Sequence, residues 1–116
     1  MTEAPRGFTQ MRPCNGLNLR AMYLILLTYI RPLPEVEAVL EAHRAYLREA
    51  PEAASIVLTG RKATRDGGLV MLRAPSRAAV DDFIARDPYA TAGVAAFEVI
   101  EFDVAQVGAG LEALKG

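Results

Sequence analysis

One cysteine and one histidine are all the thiol and imidazole that this 116-residue chain possesses. Cys14, alone and in a stretch with no regular pattern, excludes an internal disulfide and a cysteine-rich metal site, and is read as incidental. His43 has no regularly spaced carboxylate or thiol partners, so no metal site is expected, and no cofactor. Long apolar runs are missing too. The longest, from Ala21 to Ile30, is half of the roughly 20 residues that a membrane helix requires. It begins late and is followed by Arg31-Pro32 with no small-residue cleavage pattern, which argues against a signal peptide. Charge of one sign is also scarce. Thirteen Lys and Arg stand against 14 Asp and Glu, net −1, and no basic run offers a nucleic-acid surface. No Walker or dinucleotide glycine pattern occurs. What is left is one globular domain, 52% hydrophobic and 23% charged, with the cytoplasm as the default location.

Along the chain, residues 1–21 carry Pro5, Gly7, Pro13 and Gly16 without a clear period and read as a loose arm, one that an upstream start ahead of Met22 would explain. Met22 to Ile30 is a strand of nearly continuous apolar character, which implies cover on both faces. Arg31-Pro32-Leu33-Pro34 breaks it and opens a helix that runs to Pro51. A second strand spans Ser55–Thr64, Arg65-Asp66-Gly67-Gly68 makes a hairpin turn, and Leu69–Arg73 is the third strand. Ser76 caps a second helix that Pro88 stops at Asp87. A short turn over Pro88–Val94 leads to a fourth strand from Phe97 to Val104, and residues 107–116 are a tail. The order is strand-helix-strand-strand-helix-strand over residues 22–106: an α+β, ferredoxin-like split βαβ domain. Right-handed crossovers put both helices on one face of a four-stranded antiparallel sheet. The other face, with its doubly apolar first strand, calls for a second sheet against it, and a homodimeric α/β barrel is the expected solution.

The helices carry the main clue. At about 100° per residue, Val36, Val39, Leu40, Leu47 and Ala50 share one sector with His43 near its centre, while Glu37, Glu41, Arg44 and Arg48 cover the opposite side. In the second helix Val80, Phe83 and Ile84 form the stripe, and Asp87 continues it. One imidazole and one carboxylate thus point at the same core, where each must find a partner. A carboxylate bonded to one ring nitrogen fixes the tautomer and leaves the other nitrogen to move a substrate proton. The same residues also fit a satisfied core histidine and an aspartate that caps the turn at Pro88. Tyr89 offers a phenol to the pocket or simply packs. Arg61, at a strand end, offers a partner for an acidic substrate or is merely solvated. Gly60 allows a bulge or a close backbone approach.

These residues resemble the YCII-related domain family. The pattern is carried by His43-Arg44-Ala45-Tyr46-Leu47, by Val57-Leu58-Thr59-Gly60, by the pair Gly67-Gly68, and by Asp87-Pro88-Tyr89-Ala90-Thr91-Ala92-Gly93-Val94, in that order, over residues 22–104. Arg61 stands where the family commonly has proline, and Ala50-Pro51-Glu52-Ala53 replaces a glycine-containing link. The resemblance implies a dimeric ferredoxin-like barrel with a His–Asp pair as active site, here His43 and Asp87. One related member is a dehydrochlorinase acting on a chlorinated hydroxyquinol. The fold is shared with muconolactone isomerases and cofactor-free monooxygenases, so it does not choose a reaction. The expectation is a small-molecule enzyme, lyase-like or isomerase-like, acting on a small aromatic or lactone-like acid. His43 and Asp87 would be catalytic, with Tyr89, Gly60 and Arg61 at the substrate. The alternative is a non-catalytic ligand-binding or protein-interaction module on the same barrel. An open cavity beside His43 separates the two from a sealed structural histidine.

Overall fold

Nine residues, Ala21–Tyr29, form β1 in the computed structural model, which describes residues 21–115. The expected loose arm and Cys14 lie outside the described residues. Alternation along β1 explains its unbroken apolar run. Tyr23, Ile25 and Leu27 are buried against the helices, whereas Leu24 and Leu26 belong to the opposite face and are only half-buried.

The chain then turns through Arg31-Pro32 into α1, Leu33–Ala38, and α2, Leu40–Glu49. The single helix expected here is divided at Val39, whose φ of −115° and ψ of 8° leave the helical region. Its N–H donates to Val36 at 3.1 Å, a tightened turn, and the normal ladder resumes with His43 N–H donating to Val39 at 2.9 Å. A single 3-10 turn over Pro51–Ser55 leads into β2, Ile56–Arg61, which pairs with β3, Gly67–Leu72. Ser76 accepts the Ala79 N–H at 3.1 Å and starts α3, Arg77–Ala85. After α4, Pro88–Thr91, the last strand β4, Ala95–Asp103, pairs with β1 along its whole length. A 3-10 turn at Glu112–Lys115 follows, and Arg73 donates to the Leu114 carbonyl there.

The sheet order is β2-β3-β1-β4, antiparallel throughout, the ferredoxin-like arrangement. Val36, Val80, Phe83 and Tyr89 from the helices meet Tyr23, Ile25, Leu27, Val70 and Leu72 from the sheet in one core. Among the described residues no helix is long and apolar enough to cross a membrane.

The β2–β3 connection departs from expectation. β2 stops at Arg61 instead of Thr64, and Gly67-Gly68 are strand residues, not turn residues. The turn residue with positive φ is Arg65, at 65°. The glycines are needed for a different reason. A Cβ on Gly67 would sit 1.8 Å from the Leu27 carbonyl oxygen, and one on Gly68 would sit 2.7 Å from that of Gly60. Gly60 itself is under no such constraint, since its Cβ would meet only Leu69 Cδ1 at 3.7 Å. The register shift in this pair lies between Ile56 and Leu58, away from Gly60. The close approach expected at Gly60 is found at its carbonyl, but the missing Cβ of Gly68 is what allows it, and the irregularity in the pairing lies at Ile56–Leu58.

Candidate active site

His43 lies one turn into α2 on the side facing the core and is 8% exposed. Asp87 is placed by Pro88, whose ring disfavours helical geometry in the residue before it. Asp87 accordingly adopts φ −67° and ψ 132°, its chain leaves α3, and its carboxylate swings back toward α2. Oδ1 lies 2.8 Å and Oδ2 3.0 Å from Nδ1 of His43. The same Oδ1 accepts the Tyr89 N–H at 2.9 Å. Asp87 is therefore at once the histidine's partner and the cap of α4, two roles that the sequence presents as alternatives. An ionised carboxylate can only accept, so Nδ1 carries the hydrogen and Nε2 is left with the lone pair.

Tyr89 lies flat on this imidazole. The ring centroids are 3.9 Å apart and the planes 5° from parallel. At 2% exposure Tyr89 is a wall behind the ring more than a free phenol. Tyr29 meets it edge-on at 6.0 Å. Burial first, then a hydrogen bond with Tyr29 and the charge of Asp87, hold the Tyr89 hydroxyl well above the ordinary phenol range. It is a neutral group at any physiological pH.

The approach of α2 to the end of α3 has its own fastening. The Tyr46 hydroxyl donates to the Phe83 carbonyl at 2.6 Å, with the two rings stacked at 5.3 Å. Arg86 lies over the Tyr46 ring and bonds Asp82 and Glu52. Burial pushes the Tyr46 hydroxyl up to about 12. These contacts keep His43 and Asp87 within reach of each other.

A cavity of about 250 Å³ opens beside the pair, between α2 and the ends of β2 and β3. His43, Tyr89, Gly60 and Arg61 all line it; Asp87 stands behind the imidazole. Gly67 and Gly68 add no side chain to that wall. Among the described residues no three metal-ligating side chains converge.

Several lining residues escape a reading of the sequence, Tyr29, Thr59 and Arg44 among them. Tyr29 continues the β1 alternation after Ile25 and Leu27 and could have been found from it. Thr59 has no signal of its own. Arg44 is a correction: the helical wheel sends it to the side away from the core, yet it lines the cavity with Leu40 and Leu47, its neighbours at i−4 and i+3. It lies only about 100° round the helix from His43, and its long stem covers the difference.

A family model described as YCII-related domain matches residues 22–103. No curated protein matches the chain. The chain is similar to the solved structure of 5-chloro-2-hydroxyhydroquinone dehydrochlorinase (TftG) from Burkholderia phenoliruptrix AC1100 in complex with 2,5-dihydroxybenzoquinone. They share 27% identity and a TM-score of 0.58, over 74% of this chain and 95% of that one. A more distant likeness is to SnoaB, a cofactor-independent oxygenase from Streptomyces nogalater, at 20% identity and a TM-score of 0.46, over 75% and 94% of the two chains.

Proposed function

From the premise that this chain belongs to the YCII-related domain family, we propose that it is a small-molecule enzyme in which His43 and Asp87 move a proton, in lyase-like or isomerase-like chemistry. One observation carries the reading: the buried 2.8 Å contact of Nδ1 with Asp87 stands directly behind a cavity that His43 lines. A histidine kept only for packing has no use for such a space.

The chain's own groups suggest the sequence of events. Asp87 accepts the hydrogen bond of Nδ1–H, so Nε2 keeps its lone pair for a substrate in the cavity. A substrate carbon or oxygen acid placed against Nε2 gives up its proton, and the resulting imidazolium is held by the Asp87 charge and the face of Tyr89. Return of that proton to a different atom is an isomerisation; departure of an anion from the neighbouring carbon is an elimination. The dehydrochlorinase named above removes a proton and a chloride, which is the second kind, and its complex holds a single planar ring. Here Tyr29 and Tyr89 would bound such a ring, with Gly60 and Arg61 on the facing wall.

We place a homodimer in the same proposal. Leu24, Leu26, Leu69 and Met71 line the sheet face away from the helices, and Leu58 and Ile100 on that face are 46% and 40% exposed. A second sheet would cover them.

Solvent-deuterium exchange tests the chemistry without requiring net turnover. Hydroxylated aromatic acids, hydroquinones and unsaturated lactones are incubated in D2O and followed by NMR for label at carbon. The wild type is expected to label at least one class, and His43→Ala and Asp87→Asn to do so on the order of a hundredfold more slowly. Full exchange by His43→Ala would remove the assignment of His43, and no labelling of any class by the wild type would leave a ligand-binding module as the better account.

A further inference from the structure

We infer that the cavity beside His43 takes a single-ring carboxylate, whose anionic group is held at the mouth by Arg61, Arg65 and Arg44. The inference rests on the reading above only in treating that ligand as the substrate.

The chain is close to neutral, at net −1, yet its cations are not evenly spread. Arg44 and Arg61 line the cavity, and both also line an adjoining groove of about 290 Å³ that adds Arg65 and shares Tyr29 and Tyr89. Against these three guanidinium groups the two linings contain one carboxylate, Glu37. Arg44 is tied to Glu41 at 3.1 Å, just outside. Arg61 and Arg65 make no ion pair among the described residues. Among the other described arginines, Arg31, Arg77 and Arg86 each hold a carboxylate. An excess of unpaired cation at one mouth draws anions there and away from the rest of the surface.

The backbone puts these groups where they are. Arg61 is in register with Gly68, and Gly68 with Leu27, so Arg61 stands on the helix-facing side of the sheet, with no side chain between it and the core row. Arg65 holds φ at 65°, a region that a long side chain occupies at a cost and that Gly or Asn would fill more easily. A guanidinium offers a fork matched to two carboxylate oxygens. Leu40, Leu47 and Tyr29 supply an apolar wall beside these arginines. A volume of about 250 Å³ falls just below the usual range for a ligand pocket, which suits a single ring. A ligand that satisfies both ends has an apolar planar body against the tyrosines and an acid group at the arginines.

The chain has one histidine, so its imidazole signals in an NMR spectrum belong to His43 without assignment. The full chain is titrated at low ionic strength with benzoate, with its uncharged isostere benzamide, and with inorganic phosphate. Benzoate is expected to shift the His43 signals saturably and to bind at least about tenfold tighter than either control. Arg61→Gln and Arg65→Gln should each weaken benzoate by about tenfold or a little less while leaving benzamide unchanged, and the His43 signals themselves report that the site is still folded. Benzamide binding as tightly as benzoate would overturn the anion; phosphate binding as tightly would overturn the ring; no shift with any of the three would overturn the site. Benzoate affinity unchanged in both variants would overturn the role of these arginines. The readout does not use turnover. Loss of deuterium exchange in His43→Ala together with charge-blind binding would leave the enzyme reading standing and sink this one. Arginine-dependent benzoate binding with exchange intact in His43→Ala would do the reverse.

Discussion

Asp87 Oδ1 accepts two hydrogens, one from His43 Nδ1 and one from the Tyr89 backbone, and the two bonds respond differently to substitution. Asp87→Ala removes the cap of α4, worth about 1 kcal/mol, and strands a buried ring N–H, worth about 1–3 kcal/mol. A total loss of about 2–4 kcal/mol in denaturant unfolding is expected. Asn keeps an oxygen in the Oδ1 position for both hydrogens but loses the charge and puts an NH2 where Oδ2 stands 3.0 Å from Nδ1, so Asp87→Asn should cost less than the Ala change, about 1.5 kcal/mol. It should nonetheless lose exchange activity as fully as His43→Ala. Equal stability of the Ala and Asn variants would show that Oδ1 does not hold the two elements together. Tyr89 cannot take over the base role, because burial keeps its hydroxyl protonated.

Between elements, the approach of β3 to its two neighbours is set by what Gly67 and Gly68 lack. Gly68→Ala puts a Cβ 2.7 Å from the Gly60 carbonyl, backbone against backbone, with nothing flexible to yield. A cost of about 1–3 kcal/mol is expected in thermal or denaturant unfolding. Gly60→Ala meets only the end of Leu69 at 3.7 Å and should shift stability by no more than about 0.5 kcal/mol. Comparable losses for the two would mean that the strands are spaced otherwise. The break at Val39 is a second matter of fit between elements. It separates Val36, buried in the core, from the turn that presents His43, so the two residues need not share one helical phase.

At the scale of the molecule, alkali and association test different surfaces. Burial raises the hydroxyls of Tyr23, Tyr46 and Tyr89, with Tyr46 reaching about 12. Each folded value lies above the value in the unfolded chain, so this contribution is complete below about pH 10 and is lost as pH rises from there toward the folded values. Melting temperature should therefore fall steadily between about pH 10 and pH 12, with tyrosinate absorbance lagging behind that of free tyrosine until the chain unfolds. A flat melting temperature over that window would contradict it. The proposed dimer makes a separate forecast. Light scattering at micromolar concentration should give twice the 12.5 kDa chain mass, and Leu26→Glu, which puts a charge among Leu24, Leu69 and Met71, should return it to 12.5 kDa. Wild type at 12.5 kDa would end the dimer.

Much was legible in advance where local chemistry and periodicity decide. Alternation in β1, the Ser76 cap, the Pro88 break and the strand-helix order all follow from rules that act within a few residues, and together they yield the ferredoxin-like sheet. They also set His43 and Asp87 on buried stripes, 44 positions apart. Other features depend on distances between segments that no window along the chain contains. The spacing of β3 from β1 and β2 makes strand residues of Gly67 and Gly68 and gives the positive φ to Arg65, although the dipeptide by itself reads as a turn. The length of the Arg44 stem, about 100° round α2 from His43, brings it to the cavity from a side of the helix assigned to solvent. Stacking of Tyr89 on His43, and one oxygen of Asp87 serving both a ring and a cap, likewise arise only when α2, α3 and α4 close on one another. Residue pattern determined which groups face inward; tertiary packing decided which of them touch, because contact depends on how whole elements are spaced and tilted and not on the order of their residues.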